Sequence, residues 1–208
     1  MSFINRNTPQ SIDDLVFPST RTKEIVEDYA NGDRNGHLIL HGPAGTGKSE
    51  AARAIVRKRI GDLQGSPVAR PVNGHGLTEQ DVKDFENDWS FQHAETGEAW
   101  TIIDEVDFAG EKTQRAIRDL IDSNKGGRLI CTTNNPHKLD DAFLDRFHKV
   151  RVERPTAADW IDRATAIMRR EGHALDKTDL ETLLDGFEGS ARDLMRELEH
   201  YHHKLNQA

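Results

Sequence analysis

A glycine-rich turn between an apolar run and a helical pattern constrains this chain more than any other feature. Residues 42–49 read GPAGTGKS and fit G-x-x-x-x-G-K-[ST]. The run His37–His41 before it predicts a buried strand, and Ser49–Ile60 after it predicts a helix that Gly61 ends. Such a loop turns backbone N–H groups toward phosphate oxygens, and the helix adds its positive N-terminal end. The sequence therefore predicts a phosphate-binding loop in an α/β fold.

The same motif gives roles to single side chains. We expect Lys48 to reach the β- and γ-phosphates of ATP, and the Ser49 hydroxyl to bind Mg²⁺. The predicted nucleotide-binding residues are the loop and the position after it: Gly42, Pro43, Ala44, Gly45, Thr46, Gly47, Lys48, Ser49 and Glu50.

A second candidate motif follows an apolar run. Trp100–Asp104 predicts a buried strand that ends in two carboxylates, Asp104 and Glu105. Taken alone, this pair is equally typical of a solvated strand end. Together with the glycine-rich loop it predicts ATP hydrolysis, in which Asp104 holds Mg²⁺ through water and Glu105 polarises the attacking water.

The remaining patterns before Pro155 alternate between strands and helices, which predicts a parallel sheet with helices on both faces. We expect residues 1–10 to form a loosely held arm. The further predicted strands are Val68–Val72, Arg128–Thr133 and Lys149–Val152, and the further predicted helices are Thr20–Ala30, Thr78–Trp89 and Thr113–Ser123.

The pattern changes after Pro155, where no strand is predicted. Three capping boxes precede three helical stripes, and they begin at Thr156, Thr178 and Ser190. The sequence thus predicts two domains: an α/β nucleotide-binding core over residues 1–154 and a three-helix lid over residues 155–208.

Composition limits the classes of function and location. The net charge is −8, so the molecule as a whole is not a basic nucleic-acid binder, although a local basic patch can still bind DNA. A single cysteine excludes an intrachain disulfide. The start of the chain does not resemble a signal peptide, and no apolar run is long enough to span a membrane. We therefore expect a cytoplasmic protein with no membrane partner.

With these motifs in place, the sequence resembles AAA+ ATPases, and among them clamp-loader subunits, over nearly its whole length. Pro9–Val16 resembles the segment before the nucleotide site, which by resemblance helps to enclose the adenine. Ile103–Asp107 and Thr113–Arg118 resemble the acidic motif and the helix after it. Asp145-Arg146-Phe147 departs from the Ser-Arg-Cys of clamp loaders and matches many other AAA+ proteins.

The resemblance implies three more site residues. Asn134 matches sensor 1, which positions the lytic water, and Arg192 matches sensor 2, which faces the γ-phosphate. Arg146 matches the arginine finger, which acts on the site of a neighbouring subunit. The predicted catalytic set is Lys48, Asp104, Glu105, Asn134, Arg146 and Arg192. For both sensor 2 and the finger, a solvated surface arginine is the alternative.

The resemblance also implies partners. We expect self-association, or assembly with related AAA+ subunits, in a ring or spiral, with a sliding clamp or another protein as substrate. Lys112, Arg115 and the Asn73–Gly76 loop are candidates for DNA contact. Clamp loaders carry a further helical collar domain that this sequence does not include. Three alternatives are open: the protein assembles through its ATPase domains alone, a partner supplies the collar, or the protein is not a clamp loader. A protein-remodelling or helicase-loading ATPase and a non-hydrolysing scaffold are the alternatives.

Overall fold

The computed structural model describes residues 2–61, 71–123 and 125–207. Helices and strands alternate through most of the chain, and helices alone follow the last strand. In chain order the elements are α1 Phe3–Arg6, α2 Thr20–Asn31, β1 Leu38–His41, α3 Lys48–Ile60, β2 Val72–Asn73, α4 Glu79–Thr96, β3 Trp100–Asp104, α5 Glu111–Asp122, β4 Arg128–Thr133, α6 Asp141–Leu144, β5 His148–Arg151, α7 Ala157–Arg170, α8 Lys177–Leu183 and α9 Ala191–Leu205.

In the described ranges the strands form one parallel sheet in the order β2-β3-β4-β1-β5. Successive side chains of β1 enter different cores, because strand residues alternate between the two faces of a sheet. Leu38 and Leu40 join one hydrophobic cluster with α2 and α3, whereas Ile39 joins another with α4 and α5. Ile102 and Ile103 divide between the two clusters in the same way. The predicted fold class, a parallel sheet covered on both faces, is confirmed.

Helix α4 is longer than predicted. It continues past Trp89 to Thr96 and ends at Gly97, which adopts the left-handed conformation with φ 76°. Trp89 lies within a buried stripe that continues to Gln92, whose side-chain oxygen accepts a hydrogen bond from the backbone N–H of Trp100 at 2.7 Å. A polar residue thus completes the buried face, and a hydrophobic pattern could not include it.

The second strand also differs from its prediction. Among the described residues it comprises Val72 and Asn73 alone, paired with the end of β3. The predicted strand began at Val68, and residues 68–70 lie outside the described residues.

The helices after Pro155 pack around a third hydrophobic cluster, which includes Trp160, Leu180 and Leu194. Two of the predicted capping boxes, Thr156 with Asp159 and Ser190 with Asp193, are confirmed.

The predicted box of Thr178 with Glu181 is wrong. Helix α8 begins two residues earlier, and the box joins Asp176 to Asp179. Thr178 lies inside the helix, where its carbonyl accepts from the Thr182 hydroxyl at 2.9 Å.

The prediction of a loose N-terminal arm is also wrong. Phe3 is 4% exposed and belongs to the third cluster. Arg6 forms an ion pair with Glu171, and the side-chain amide of Asn7 donates to the same carboxylate at 2.7 Å. Because these partners lie more than 160 positions away in the chain, the local polar composition of residues 1–10 gave no sign of them.

We predict that Gly127→Ala destabilises the fold through a steric clash. A Cβ at Gly127 would lie 1.8 Å from a ring carbon of Trp89, which is 1% exposed. We expect the free energy of unfolding in urea to fall by about 3 kcal/mol. Gly110→Ala is the control, since nothing lies within 4 Å of its added Cβ, and it should change stability by less than about 1 kcal/mol. Equal losses in the two variants would contradict the packing described.

Candidate active site

The glycine-rich loop connects β1 to α3, and its glycines are required by contacts on both sides. Gly42 has φ 141°, and a Cβ there would lie 2.2 Å from the carbonyl oxygen of Val152. Gly45 has φ 74°, and its Cβ would lie 2.3 Å from Cβ of Ser190 at the start of α9. Larger residues would therefore force the loop away from the sheet or from the last helix.

A cavity of about 440 Å³ opens in front of this loop. Four parts of the chain form its wall: the segment before α2, the loop itself, the ends of β3 and β4, and helices α7 and α9. Residues 44–50 all line it, and Gly42 and Pro43 lie behind the lining. Other lining residues include Asn7, Asp14, Val16, Phe17, Glu105, Thr132, Asn134, Trp160, Arg163, Arg192 and Met195.

Lys48 is held at the inner edge of the loop. Its side chain is buried, and Nζ donates to the carbonyl oxygens of Gly42 at 2.9 Å and Pro43 at 2.6 Å. Burial lowers the pKa of Lys48 to about 8, and the negative charges of Asp104 and Glu105 oppose this shift. Gly42 and Pro43 thus serve the site by positioning this ammonium group.

The two predicted acids lie at the end of β3. The Thr132 hydroxyl, at the end of β4, donates to Asp104 Oδ1 at 2.9 Å and accepts from the backbone N–H of Glu105 at 3.1 Å. Arg53 of α3 approaches Asp104 Oδ2 at 3.4 Å and pairs with Glu50. One hydroxyl therefore orders both acids.

Glu105 has an unusual backbone. Its φ of 54° is the one positive value at a non-glycine residue in the described ranges. Such conformations cost free energy and concentrate at functional sites. The backbone of Gly74 packs against this residue, and a Cβ at Gly74 would lie 2.2 Å from the Glu105 carbonyl oxygen.

The two neighbouring asparagines have different positions. Asn134 lines the cavity. Asn135 instead donates to Asp107 Oδ2 at 3.1 Å, and the Thr133 hydroxyl donates to Oδ1 of the same buried carboxylate at 2.8 Å. Asp107 thus fixes the turn that presents Asn134.

The two predicted arginines, Arg146 and Arg192, lie in different places. Arg192 lies in the first turn of α9 and lines the cavity. Arg146 is not part of the lining. Its guanidinium binds both oxygens of Asp122, at 2.9 and 2.6 Å, on the exposed side of α5.

The N-terminal segment forms the cavity wall opposite the loop. Asp14 forms a partly buried ion pair with Arg163 of α7. Burial opposes ionisation of Asp14, but the backbone N–H of Gln10 and the charge of Arg163 together hold its pKa below the usual value. Sequence reasoning missed Arg163, Thr132 and Arg53, because each acts through a partner distant in sequence.

The donor set fits ATP with a divalent cation. The glycine cradle and the neighbouring Lys48 suit phosphates, and Ser49 with Asp104 offers the oxygen ligands that Mg²⁺ prefers. Two buried polar atoms of residues on the wall, Asn7 Oδ1 and Trp160 Nε1, have no hydrogen-bond partner among the described residues. One is an acceptor and the other a donor, a combination that a purine base can match.

The comparisons with known proteins agree with this site. The model of the family described as ATPase family associated with various cellular activities (AAA) matches residues 38–154, more than half of the chain. The chain therefore belongs to this AAA family, which confirms the predicted class of ATP hydrolase.

Among similar proteins, replication factor C subunit 3 of Oryza sativa subsp. japonica is 25% identical over 96% of this chain and 57% of its own length. The replication factor C small subunit of Aeropyrum pernix is 26% identical over 96% of this chain and 62% of its own length. The chain thus spans less than two thirds of these curated relatives, and the resemblance to clamp-loader subunits is confirmed.

A solved structure, the RuvB Holliday junction branch migration motor of Thermotoga maritima, superposes with a TM-score of 0.71. It is 18% identical, and the match covers 94% of this chain and 64% of that one, which shows the shared fold. No helix in the described ranges is long and apolar enough to cross a bilayer.

We predict that Thr132→Val lowers the ATPase rate about 10- to 100-fold, because the hydroxyl orders both acids. Thr132→Ser keeps the hydroxyl and should retain most of the rate. The measurement is steady-state phosphate release, with nucleotide affinity determined in parallel. An unchanged rate in Thr132→Val would contradict the positioning of Asp104 and Glu105 by this residue.

Proposed function

We propose that this chain binds Mg-ATP in the cavity and hydrolyses it as part of an assembly of AAA+ subunits. One observation carries the proposal: the loop with Lys48, the acid Glu105, and the polar residues Asn134 and Arg192 converge on one cavity from separate elements. The glycines of the loop support binding of phosphates.

Each side chain has its own role in the proposed hydrolysis. Lys48 and Arg192 place positive charge near the terminal phosphates, where negative charge increases during hydrolysis. Glu105 accepts a hydrogen bond from the attacking water, and Asn134 orients that water. A bound Mg²⁺, held by Ser49 and Asp104, would supply charge neutralisation at the phosphates.

Arg146 acts on the site of a neighbouring subunit in this proposal. It is exposed to solvent in part, is absent from its own cavity, and is oriented by Asp122. The site is then complete only at a subunit interface, so ATP binding favours assembly and hydrolysis loosens it.

We predict that two inactive variants restore activity when mixed. The Arg146→Ala variant keeps an intact glycine-rich loop with Lys48, and the Lys48→Ala variant keeps Arg146 for the site of its neighbour. At equal mixing about one interface in four combines both intact parts, so the ATPase rate should recover to a comparable fraction of the wild-type rate. The control is a mixture of either single variant with the double variant, Lys48→Ala with Arg146→Ala, which should show no recovery. No recovery in the first mixture would contradict action in trans.

We propose further that the assembly resembles a clamp loader and acts on DNA and a partner protein. The similarity to replication factor C subunits supports this, together with a local basic surface. Lys112 and Arg115 on α5 are exposed and form no ion pair within the described part of the chain. Exposed cations without acidic partners are suited to phosphate contact.

We predict that the double substitution Lys112→Ala with Arg115→Ala weakens DNA binding. The slope of log affinity against log salt should decrease by about two, because two phosphate contacts are lost. Lys23→Ala with Lys177→Ala removes the same charge from other surfaces and should leave the slope unchanged. The measurement is fluorescence anisotropy with primed DNA in the presence of ATP.

Equal slopes in the two double variants would contradict DNA contact at α5. If primed DNA also failed to stimulate the wild-type ATPase, the alternative of a protein-remodelling or helicase-loading ATPase would replace the clamp-loader proposal.

A further inference from the structure

The loop after β2 carries an imidazole ring onto an aromatic side chain. The rings of His75 and Phe108 stack with centroids 3.7 Å apart and an angle of 24° between their planes. The side chain of His75 is 58% exposed, and Phe108 is 42% exposed. Exposed aromatic residues that stack on each other present a flat face to solvent.

Contacts to the end of β3 fix this ring in place. The backbone N–H of Gly74 donates to the carbonyl of Asp104 at 2.7 Å. The backbone N–H of His75 donates to Asn73 Oδ1 at 2.8 Å. The His75 ring therefore stands on a loop whose backbone is ordered, and little ordering remains for a ligand to impose.

One cation lies against the stacked rings, and others are on the neighbouring helix α5. Lys138 Nζ lies 4.7 Å from the centre of the Phe108 ring. The first turn of α5 is next to the same loop, because the Thr113 hydroxyl donates to the carbonyl of Leu77 at 3.2 Å, and this turn carries Lys112. Arg115 follows Lys112 by three positions in α5, so these two cations share one face of the helix. We define the stacked surface as His75, Phe108, Lys112, Arg115 and Lys138.

The three cations of the stacked surface are exposed and form no ion pair with any residue in the described ranges. The carboxylate of Glu105 lies close to the imidazole, with Oε2 3.9 Å from His75 Nε2. Both His75 and Lys138 lie against the Phe108 ring, and His75 is the more exposed of the two stacked rings, so we take the outer face of His75 as the place where a planar ligand can add.

We propose that the outer face of His75 stacks on an unpaired nucleobase, while Lys112, Arg115 and Lys138 contact the adjoining phosphates. The inference rests on the proposed DNA-linked function and adds to it the mode of contact. Flat aromatic faces bind any base, and cations on the same surface bind the backbone, which is how proteins hold single strands without reading their sequence. An acidic protein segment would use the cations and leave the stacked rings without a role.

The test uses the full chain with ATP and a single-stranded oligonucleotide that contains 2-aminopurine, whose fluorescence is quenched on stacking. In His75→Ala we expect the quenching to be lost and affinity to fall about 5- to 100-fold. The salt slope should stay at the wild-type value, since no phosphate contact is removed. His75→Phe keeps a flat ring and should retain both quenching and affinity.

Phe91→Ala is the matched control, because Phe91 is 60% exposed on α4, outside the stacked surface, and its removal should change neither signal. Replacing single bases by abasic sites should remove the difference between His75→Ala and the wild type. Thermal unfolding of each variant tests that the loop substitution leaves the fold intact.

The outcomes separate the two proposals. If His75→Ala kept the quenching and the affinity of the wild type, stacking on His75 would be overturned. DNA binding would remain in place if the salt slope still depended on Lys112 and Arg115. Absence of DNA binding by the wild-type chain would overturn both, while the ATPase rate would still report on the nucleotide site. If the wild-type chain bound polyglutamate and did not bind DNA, the stacked surface would be assigned to an acidic protein partner.

Discussion

The contact between the glycine-rich loop and the first turn of α9 connects the nucleotide site to the helical part of the chain. The backbone N–H of Ala191 donates to the carbonyl of Gly45 at 2.9 Å, and Ser190 occupies the space that a Cβ at Gly45 would need. On its other side the loop packs on Val152 through Gly42. A loop with side chains at these positions could not touch the sheet and the last helix together, and Arg192 would then lie away from the glycine-rich loop.

The parallel sheet provides the second requirement, because it brings strand ends together at one edge. His41 pairs with Thr133 and Asn73 pairs with Asp104, so the loop, the acids and Asn134 leave the sheet side by side. The register sets distances that no single strand could set alone. Thr132 illustrates this, since its hydroxyl reaches Asp104 and the Glu105 backbone from the neighbouring strand.

Structural features that depend on neighbouring residues in the sequence could be predicted from it. Features that depend on contacts between residues far apart in the sequence could not. The loop motif depends on glycine spacing, and two capping boxes depend on pairs three residues apart, so both were evident. The box at Asp176 was missed because two overlapping candidates fit the same stretch, and helix geometry decides between them. The anchoring of Phe3 and the length of α4 depend on tertiary contacts, which local composition does not encode. The roles of Asn134, Arg146 and Arg192 remain predictions.

The N-terminal segment has a mechanical consequence. Phe3 is anchored among the helices that follow Pro155, and Ile12 is anchored in the cluster beneath the sheet, so residues between them bridge the two layers. The chain crosses between the same layers a second time near Arg154 and Pro155. The helices after Pro155 are therefore attached to the sheet layer at two places, covalently near Pro155 and by side-chain packing at Phe3. Any displacement of these helices away from the sheet must therefore carry residues 3–12 along or release Phe3 from its cluster.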